Sequence, residues 1–504
     1  MNERETDATF IIPPSPFLAD ERVFPFLGVL KVASNMEKEG YKVDVVDLSG
    51  VGNYKEVVDA YMQGKGKEVK TFGITATTPQ FPHAVKINET IKENNPDAKV
   101  IFGGAHATMV GSARRLDQKK GVEHRGTRAF NQMVDTFDTS VVGDGEEAIF
   151  EAIKGEARVI EAGQKESAFF LQKGTLENYP FPNRELIDMS SYHYQIDGKD
   201  AQSMIAQLGC PFECGFCGGR NTPSFRMARS RSTESILEEV DVLVGKYNKD
   251  GIMFYDDELN INNDKLMELM DGLTKYQMDN KKDLRLRGFV KAELFTLDQA
   301  KAMHKAGFRI MLSGVESGDD GILATMRKHT TREINSAWVR NCHEAGLSAK
   351  ALMSIGHPGE SKETVANSLE WALANLQEGD DIDWTIITEY PGSPYFDQST
   401  PHPTEGGVWV YEQPQTHGVL FSQDINFAEK AEYYKGVPGD YTSYVWTEHL
   451  SPQELVIQRD WVEKITRERL NLDPVRSVPV MQFERSMGSG RTDTLPNYIL
   501  RTSK

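Results

Sequence analysis

The chain has 504 residues, enough for about two to four domains that each bury a core. With 39% hydrophobic and 26% charged residues it has the composition of an ordinary globular protein. Its 75 acidic residues outnumber 57 basic ones, and the formal net charge of −18 disfavours nucleic acid as a partner. No apolar run reaches the ~18 residues that a membrane-spanning helix needs. The start, MNERETDATFIIPP, lacks the apolar core of a signal peptide, so a cytoplasmic, reducing location is expected.

Residues 8–13 read as a short strand halted at Pro13-Pro14-Ser15-Pro16. Residues 26–39 carry helical periodicity through Leu27, Leu30, Val32, Ala33 and Met36. Further strands are expected at 40–47, 68–75, 98–104 and 139–143, with helices at 82–94 and 146–153. This alternation predicts an α/β unit over residues 1–160, a doubly wound, largely parallel, Rossmann-like sheet. Ligands of such sheets lie beyond the carboxyl ends of the strands. The loops there are Pro13–Pro16, Thr75-Ala76-Thr77-Thr78-Pro79, Gly103-Gly104-Ala105-His106-Ala107-Thr108 and Gly143-Asp144-Gly145-Glu146-Glu147. Their glycines allow close backbone approach and their hydroxyls offer donors to a polar cofactor. Each loop by itself is more often a plain turn.

Residues 176–194, rich in Pro, Asn and Tyr, read as an inter-domain strap within a linker over 161–200. Six strand-like runs follow, at 203–208, 251–255, 284–290, 308–314, 348–356 and 383–388, with helical stretches between. They predict a partial (β/α)6 barrel over 201–395, with its chemistry at the carboxyl-terminal rim. The first strand delivers three of the four cysteines, Cys210, Cys214 and Cys217, in a C-x3-C-x2-C spacing. Thiolate is the ligand that iron–sulfur clusters and zinc select. No fourth Cys or His lies close by, His193 upstream being the nearest, so a three-thiolate cluster would keep one position open. A structural zinc loop is the alternative, and a disulfide is disfavoured in a reducing compartment. Cys342 reads as a buried helix residue.

The C-x3-C-x2-C spacing, with Phe216 ahead of the last cysteine, resembles the signature of the radical SAM enzymes. The resemblance implies a [4Fe-4S] cluster on Cys210, Cys214 and Cys217. Its open iron would bind the amino and carboxylate groups of S-adenosyl-L-methionine (SAM), with Phe216 beside it. Tyr255-Asp256-Asp257-Glu258-Leu259-Asn260 resembles the Asp-Asp-x-Phe loop of one large subclass; Asp256 is the expected contact of the SAM ammonium, and Asp257 a helix cap. Gly314-Val315-Glu316-Ser317-Gly318 resembles its Gly-hydrophobic-Glu-Ser-Gly, which implies that Glu316 and Ser317 contact the methionine and ribose portions. Gly356-His357-Pro358-Gly359-Glu360 is similar to Gly-x-Pro-Gly-Glu, with Gly356 admitting the adenine; Glu360 reads equally as a first-turn helix acid. Tyr390-Pro391-Gly392-Ser393-Pro394 also fits, and Arg287 reads either as a rim group or as a core ion-pair partner.

The four amino-terminal loops together resemble the cobalamin-binding domain of this subclass. The implied cobalamin contacts are Pro14, Ser15, Thr77, Thr78, Gly103, Gly104, His106, Gly143, Gly145 and Glu146. Many cobalamin domains ligate cobalt through Asp-x-His-x-x-Gly, but none of the eleven histidines here has Asp two residues before it. His106 is therefore expected to shape its loop or touch the cofactor, not to ligate cobalt.

Residues 396–504 read as a small α+β appendage that caps the substrate. Ser451-Pro452-Gln453-Glu454 is a capping box opening a helix to about residue 470. Trp409, Tyr411, Phe421, Tyr433, Tyr434, Tyr441, Tyr444 and Trp446 precede it, as a substrate lid or as a small core. Residues 483–504 carry no reading.

The resemblance implies a cobalamin-dependent radical SAM methyltransferase that methylates an unactivated carbon through a 5′-deoxyadenosyl radical and methylcobalamin. No side chain is named as acid or base. An oxidative cyclase or rearrangement enzyme is the alternative, and a non-catalytic cobalamin sensor or carrier the alternative of another class. Methylthiotransferases are disfavoured because residues 1–202 contain no cysteine. The expected partners are a small-molecule or peptide substrate and an electron donor such as a flavodoxin or ferredoxin.

Overall fold

β1 (Ala8–Ile12) is buried along its whole length because it lies inside a sheet covered on both faces. The computed structural model describes residues 6–15, 21–430 and 442–472. β1 is followed by α1 (Leu27–Lys38), β2 (Val43–Asp47), α2 (Tyr54–Gln63), β3 (Thr71–Thr75), α3 (Phe81–Asn94) and β4 (Lys99–Gly103). Next come α4 (Ala105–Lys120), α5 (Arg125–Thr136), β5 (Thr139–Gly143), α6 (Ala148–Lys154) and β6 (Val159–Ala162). The six strands pair in the order β2-β1-β3-β4-β5-β6, all parallel. Successive side chains leave opposite faces. Phe10 packs with α1 and α6, while Ile11 packs with the core under α2 to α5. The chain reverses direction across the sheet at β1 and β3, which opens a crevice at their carboxyl ends.

The sequence reading found five of these strands and missed β6, α2, α4 and α5. α4 opens inside the Gly-Gly-Ala-His-Ala-Thr stretch, whose glycines and small residues imitate a loop. Tertiary packing makes it helical, since Ala107, Val110 and Ala113 fill the core under β4 and β5.

Three short 3-10 turns cross residues 176–191, and β7 (Gln195–Ile196) then opens the second sheet. Its six parallel strands are β8 (Lys199–Met204), β11 (Gly251–Phe254), β12 (Arg285–Phe289), β13 (Phe308–Glu316), β14 (Ser348–Ile355) and β15 (Asp381–Ile386). They pair in sequence order, with β7 antiparallel on the edge. The first strand ends earlier than the expected residue 208. Asp256 takes the backbone N–H groups of Ala206 and Gln207 and bends the chain out of the sheet. The next residues form β9 (Gln207–Leu208), which pairs antiparallel with β10 (Arg229–Ser230) beyond the short α7 (Pro223–Arg226). Helices α8 (Thr233–Gly245), α9 (Asn263–Asn280), α10 (Leu297–Lys305), α11 (Asp320–Thr325), α12 (Arg332–Glu344) and α13 (Lys362–Asn375) connect the strands. Trp338, Trp371 and Trp384 are fully buried in the core between sheet and helices, and Cys342 is buried there as expected.

α14 (Pro394–Gln398) leads to an antiparallel sheet of β16 (Thr400–Pro401), β17 (Val408–Glu412), β18 (Val419–Gln423) and β19 (Val445–Thr447). The capping box opens α15 (Pro452–Arg469), as the sequence indicated. Its Leu455 and Val462 join the barrel core, and Thr466 Oγ1 accepts from Trp384 Nε1 at 3.1 Å. Tyr433, Tyr434, Tyr441 and residues 483–504 lie outside the described residues. Of the other aromatics, Trp409 and Tyr411 are buried, and the half-buried Phe421 stacks on the half-buried Trp446 at 5.7 Å. Arg125 of α5 ties the parts together: it pairs with Glu389 and donates to Phe396 O (3.1 Å), Ser399 Oγ (2.6 Å) and Ser422 Oγ (3.1 Å). Among the described residues no helix is long and apolar enough to cross a membrane.

Candidate functional site

The cysteine loop projects from the β9 end of the barrel, and its backbone is held from several sides. Arg220 Nη1 donates to the carbonyls of Cys210 (2.9 Å) and Phe212 (2.6 Å), and Arg226 Nη2 to that of Pro211 (2.8 Å). Cys210 N donates to Phe225 O, Gly215 N to Met326 O and Tyr395 N to Gly215 O, at 2.7 to 3.0 Å. The three thiols are half-buried. Burial pushes the Cys210 thiol up and the Cys217 thiol to about 12, so a bound cation is needed to keep them as thiolates. Burial by itself would lower Arg220, but the charges of Cys217, Cys210 and Asp257 raise it overall. Among the described residues no three His, Cys, Asp or Glu side chains converge on a point for one metal ion. Ligands of a cubane cluster each take a different iron and stand farther apart, so a three-cysteine loop with a guanidinium at its back suits a cluster.

The rim beside this loop is a hydrogen-bonded chain. Glu316, with φ at +63°, accepts from Lys328 Nζ (3.2 Å) and from Ser354 Oγ (2.8 Å). Ser354 Oγ also meets His357 Nε2 at 2.8 Å, and His357 Nδ1 lies 3.4 Å from the Tyr395 hydroxyl. Ser354 gives its hydrogen to Glu316, so His357 donates through Nε2 and accepts from Tyr395. Burial, with Lys328 nearby, pushes His357 down to about 3 and keeps it neutral. Phe216 sits edge-on to that imidazole at 5.4 Å. Gly356 lies on the same loop, its amide donating to Glu360 at 3.1 Å.

Two expected SAM contacts are corrected. Asp256 is buried with both oxygens committed to the amides of Ala206 and Gln207, so it shapes the turn into the cysteine loop. Ser317 is fully buried and turned toward α13, its Oγ 2.9 Å from Ser368 Oγ. The groups that do face the cysteine loop are Asp257, whose charge acts on Arg220 and Cys217, and Lys328, whose amino group feels Cys214. Glu258, pushed up to about 7 by burial, stands near Lys328 and Lys291. Lys328 lies in the Arg327-Lys328-His329 run of ordinary polarity, and nothing local marked it. Arg287 donates to the Tyr194 hydroxyl at 2.8 Å deep in the barrel and is a core partner.

A cavity of about 220 Å³ opens at the carboxyl ends of β1, β3, β4 and β5. Gly103, Gly104, Gly143, Gly145 and Glu146 line it, together with Asp144, Phe10 and Gly73. At Gly104, with φ at +94°, a Cβ would stand 2.6 Å from Thr75 Oγ1 and 3.1 Å from Ala76 N, so only glycine keeps this wall open. Pro14, Ser15, Thr77, Thr78 and His106 do not line it. Thr77 caps a short turn with Gln80, and Ser15 N donates to Glu21 Oε2 at 2.5 Å.

Of the two roles expected for His106, its position away from the cavity lining leaves the shaping of its loop. It is fully buried, stacked on Phe81 at 4.1 Å, with Nδ1 3.1 Å from Thr78 Oγ1. Burial pushes it down to about 3. The unfolded chain therefore takes up the proton first, and the stability linked to His106 is full above about pH 6.5 and is lost as pH falls toward 3. His106→Leu should remove about 2 kcal/mol of the stability difference between pH 7 and pH 5. Thermal unfolding of the two proteins at both pH values checks this, and equal slopes would refute it.

The elements around the cavity touch the cysteine loop and the strand after it. A Cβ on Gly218, next to Cys217, would stand 2.5 Å from Met109 Sδ of α4. Arg229 Nη1 reaches the cavity-lining Asp144 at 2.6 Å, and Thr222 Oγ1 donates to Gly163 O at 3.2 Å.

Residues 204–372 match the Radical SAM superfamily. An uncharacterized methyltransferase of Pyrococcus horikoshii is 25% identical over 372 residues, covering 73% of this chain and 77% of that protein. The anaerobic magnesium-protoporphyrin IX monomethyl ester cyclase of Cereibacter sphaeroides is 24% identical over 345 residues, 64% of this chain and 53% of the cyclase. The fold is similar to that of the radical S-adenosylmethionine methyltransferase TsrM from Kitasatospora setae, solved with cobalamin and a [4Fe-4S] cluster. The TM-score is 0.59 at 17% identity, over 81% of each chain. The cobalamin-dependent radical enzyme OxsB gives 0.56 at 16% identity, over 75% of this chain and 53% of OxsB.

Proposed function

We propose, for a chain whose residues 204–372 match the Radical SAM superfamily, that it is a cobalamin-dependent methyltransferase acting on an unactivated carbon. The observation that carries this is the approach of the cysteine loop to the elements around the glycine-walled cavity: Gly218 meets Met109 of α4, the helix that follows the cavity-lining Gly104, and Arg229 beyond the loop pairs with the cavity-lining Asp144. A single active centre using two cofactors requires that neighbourhood. When bound, the cluster with SAM supplies a carbon-centred radical, and cobalamin supplies the methyl group.

The chain's own residues bind and orient. Cys210, Cys214 and Cys217 hold the cluster, with Arg220 and Arg226 fixing the loop's carbonyls. Glu316, locked by Lys328 and Ser354, presents a carboxylate to the SAM side of the rim. Gly103, Gly104, Gly143, Gly145 and Glu146 would frame the cobalamin, and no histidine is among the residues lining that cavity. The reading needs a small-molecule or peptide substrate and an external electron donor such as a flavodoxin or ferredoxin. The relationship to the cyclase keeps oxidative cyclisation as a second reading.

The test uses anaerobically reconstituted protein with cobalamin, SAM and a reductant, and quantifies 5′-deoxyadenosine and S-adenosylhomocysteine together. Near-equal rises with a substrate support methyl transfer. Deoxyadenosine rising alone replaces it with cyclisation or rearrangement, and neither rising removes the enzyme reading.

A further inference from the structure

Positive φ is uncommon for residues with a side chain, because Cβ then crowds the carbonyl that follows. Among the described residues eight non-glycines adopt it, and three of them meet at one place: Glu316 (+63°), Arg327 (+53°) and His329 (+61°). The last two flank Lys328. Strain of this kind persists only where the surrounding packing holds it, and it gathers at functional sites. Its outcome here is a lysine that is only 6% exposed, between the half-buried Arg327 and the exposed His329.

This segment lies against the cysteine loop. Gly215 N, next to Cys214, donates to Met326 O at 2.7 Å, and Phe216 packs on Ile322, Leu323 and Met326. Two residues after Met326, the Lys328 ammonium donates to Glu316 Oε1 at 3.2 Å, and the Lys328 carbonyl accepts from Lys291 Nζ at 3.2 Å. Lys291 in turn donates to Glu293 Oε1 at 2.6 Å and stands 4.5 Å from the Phe212 ring centroid. Two buried ammonium groups thus adjoin the loop, each with one carboxylate partner, and Glu258 lies near both. Burial by itself would lower Lys328, but the charges of Glu316 and Cys214 raise it overall, so it stays a cation. Arg220 also brings positive charge, but it holds the loop's carbonyls. The Lys328 ammonium holds Glu316 instead, so its charge can be removed while the loop's own backbone hydrogen bonds remain.

We propose that Lys328 tunes the reduction potential of the cluster on Cys210, Cys214 and Cys217, its fixed positive charge favouring uptake of an electron there. This rests on the cluster assigned to the cysteine loop and adds a residue that governs how readily it is reduced. The step is transfer of one electron from the external donor; no bond forms or breaks and no proton moves, so the site becomes one unit more negative. A cation that water screens poorly stabilises that added charge, and net charge and solvent exposure are among the levers on cluster potentials. At an effective dielectric constant of about 20, a unit charge about 10 Å away is worth roughly tenfold in a one-electron equilibrium, which is about 59 mV. Glu316 acts through the same pair, holding the ammonium in place and offsetting part of its charge.

The test is a redox titration of the cluster-reconstituted full chain without SAM, read by electron paramagnetic resonance of the reduced cluster. Lys328→Met should move the midpoint about 59 mV more negative, about tenfold in the equilibrium, and Lys328→Arg should stay near the unaltered chain. Glu316→Gln should move it the opposite way, and combining Lys328→Met with Glu316→Gln should recover most of the loss. An unchanged midpoint in Lys328→Met, an equal shift in Lys328→Arg, no recovery in the double variant, or a negative shift in Glu316→Gln overturns the proposal. If Lys328→Met holds no iron, Lys328→Gln takes its place and Glu316→Gln is read by the same sign. Iron and sulfide analysis of the unaltered chain reports separately on the cluster: no bound iron removes that assignment, whereas a bound cluster indifferent to these charges removes only the role of Lys328.

Discussion

Cys214→Ala loses the cluster and, with it, all 5′-deoxyadenosine formation. Removing a group behind a metal ligand already costs roughly 10–100-fold in affinity, so deleting a ligand itself should lower cluster retention by about a hundredfold or more. The protein should stay folded, because the loop's backbone is held by Arg220, Arg226 and the amides of Gly215 and Tyr395, none of which involves a thiol. Iron and sulfide analysis, the visible absorption band and deoxyadenosine assays read the outcome, with Cys210→Ala and Cys217→Ala behaving alike. Cys342→Ala is the control: that thiol is fully buried among barrel-core residues, so its loss should lower stability and leave the cluster in place. Undiminished iron and deoxyadenosine in Cys214→Ala would refute the assignment of the loop.

Gly143→Ala should be the most damaging single methyl group in the first sheet. At φ +117° an L side chain is strained, and the new Cβ would run into Gly163 N and the carbonyl carbon of Ala162. Those are backbone atoms at the end of β6, which Gly143 pairs with through Ala162, so they yield only by unpairing the strands. Strain and overpacking together should cost about 3–5 kcal/mol and close the cavity. Gly145→Ala, two residues on, meets only Val32 Cγ2 at 3.1 Å, a side-chain end that can shift. The measurement is the melting temperature together with cobalamin retention after gel filtration. Equal behaviour of the two variants would show that the cavity does not depend on this close approach.

The cysteine spacing, the rim motifs and the alternation of strands with helices were legible in the sequence because each is local. A C-x3-C-x2-C loop carries its ligands within eight residues, and a strand's register follows from period-two patterning and the turns beside it. The same holds for Gly103, Gly104, Gly143 and Gly145, which stand where strands end and so fell on the cavity.

What a motif's side chains face was not legible, since that depends on packing between segments far apart in the chain. Asp256 and Asp257 are adjacent and chemically alike, yet the bend after β8 turned one onto backbone amides and left the other near Arg220. Ser317 fits its motif and faces Ser368, 51 residues away. His106 follows two loop-like glycines and ends stacked on Phe81, because α4 winds from that point and the core under β4 takes the ring. Lys328 and Ser354 meet Glu316 from two separate segments, and His357 stands behind Ser354. The sequence by itself determined the chemistry the chain can hold, three thiolates and a set of glycine-walled strand ends, because those are properties of spacing and residue type. Only the tertiary structure decided that the cysteine loop packs on α4 through Gly218 and Met109, and that Phe24 of one unit packs with lumen residues of the other. Those contacts join residues more than a hundred positions apart, and burial of shared apolar surface brings them together, not any local pattern.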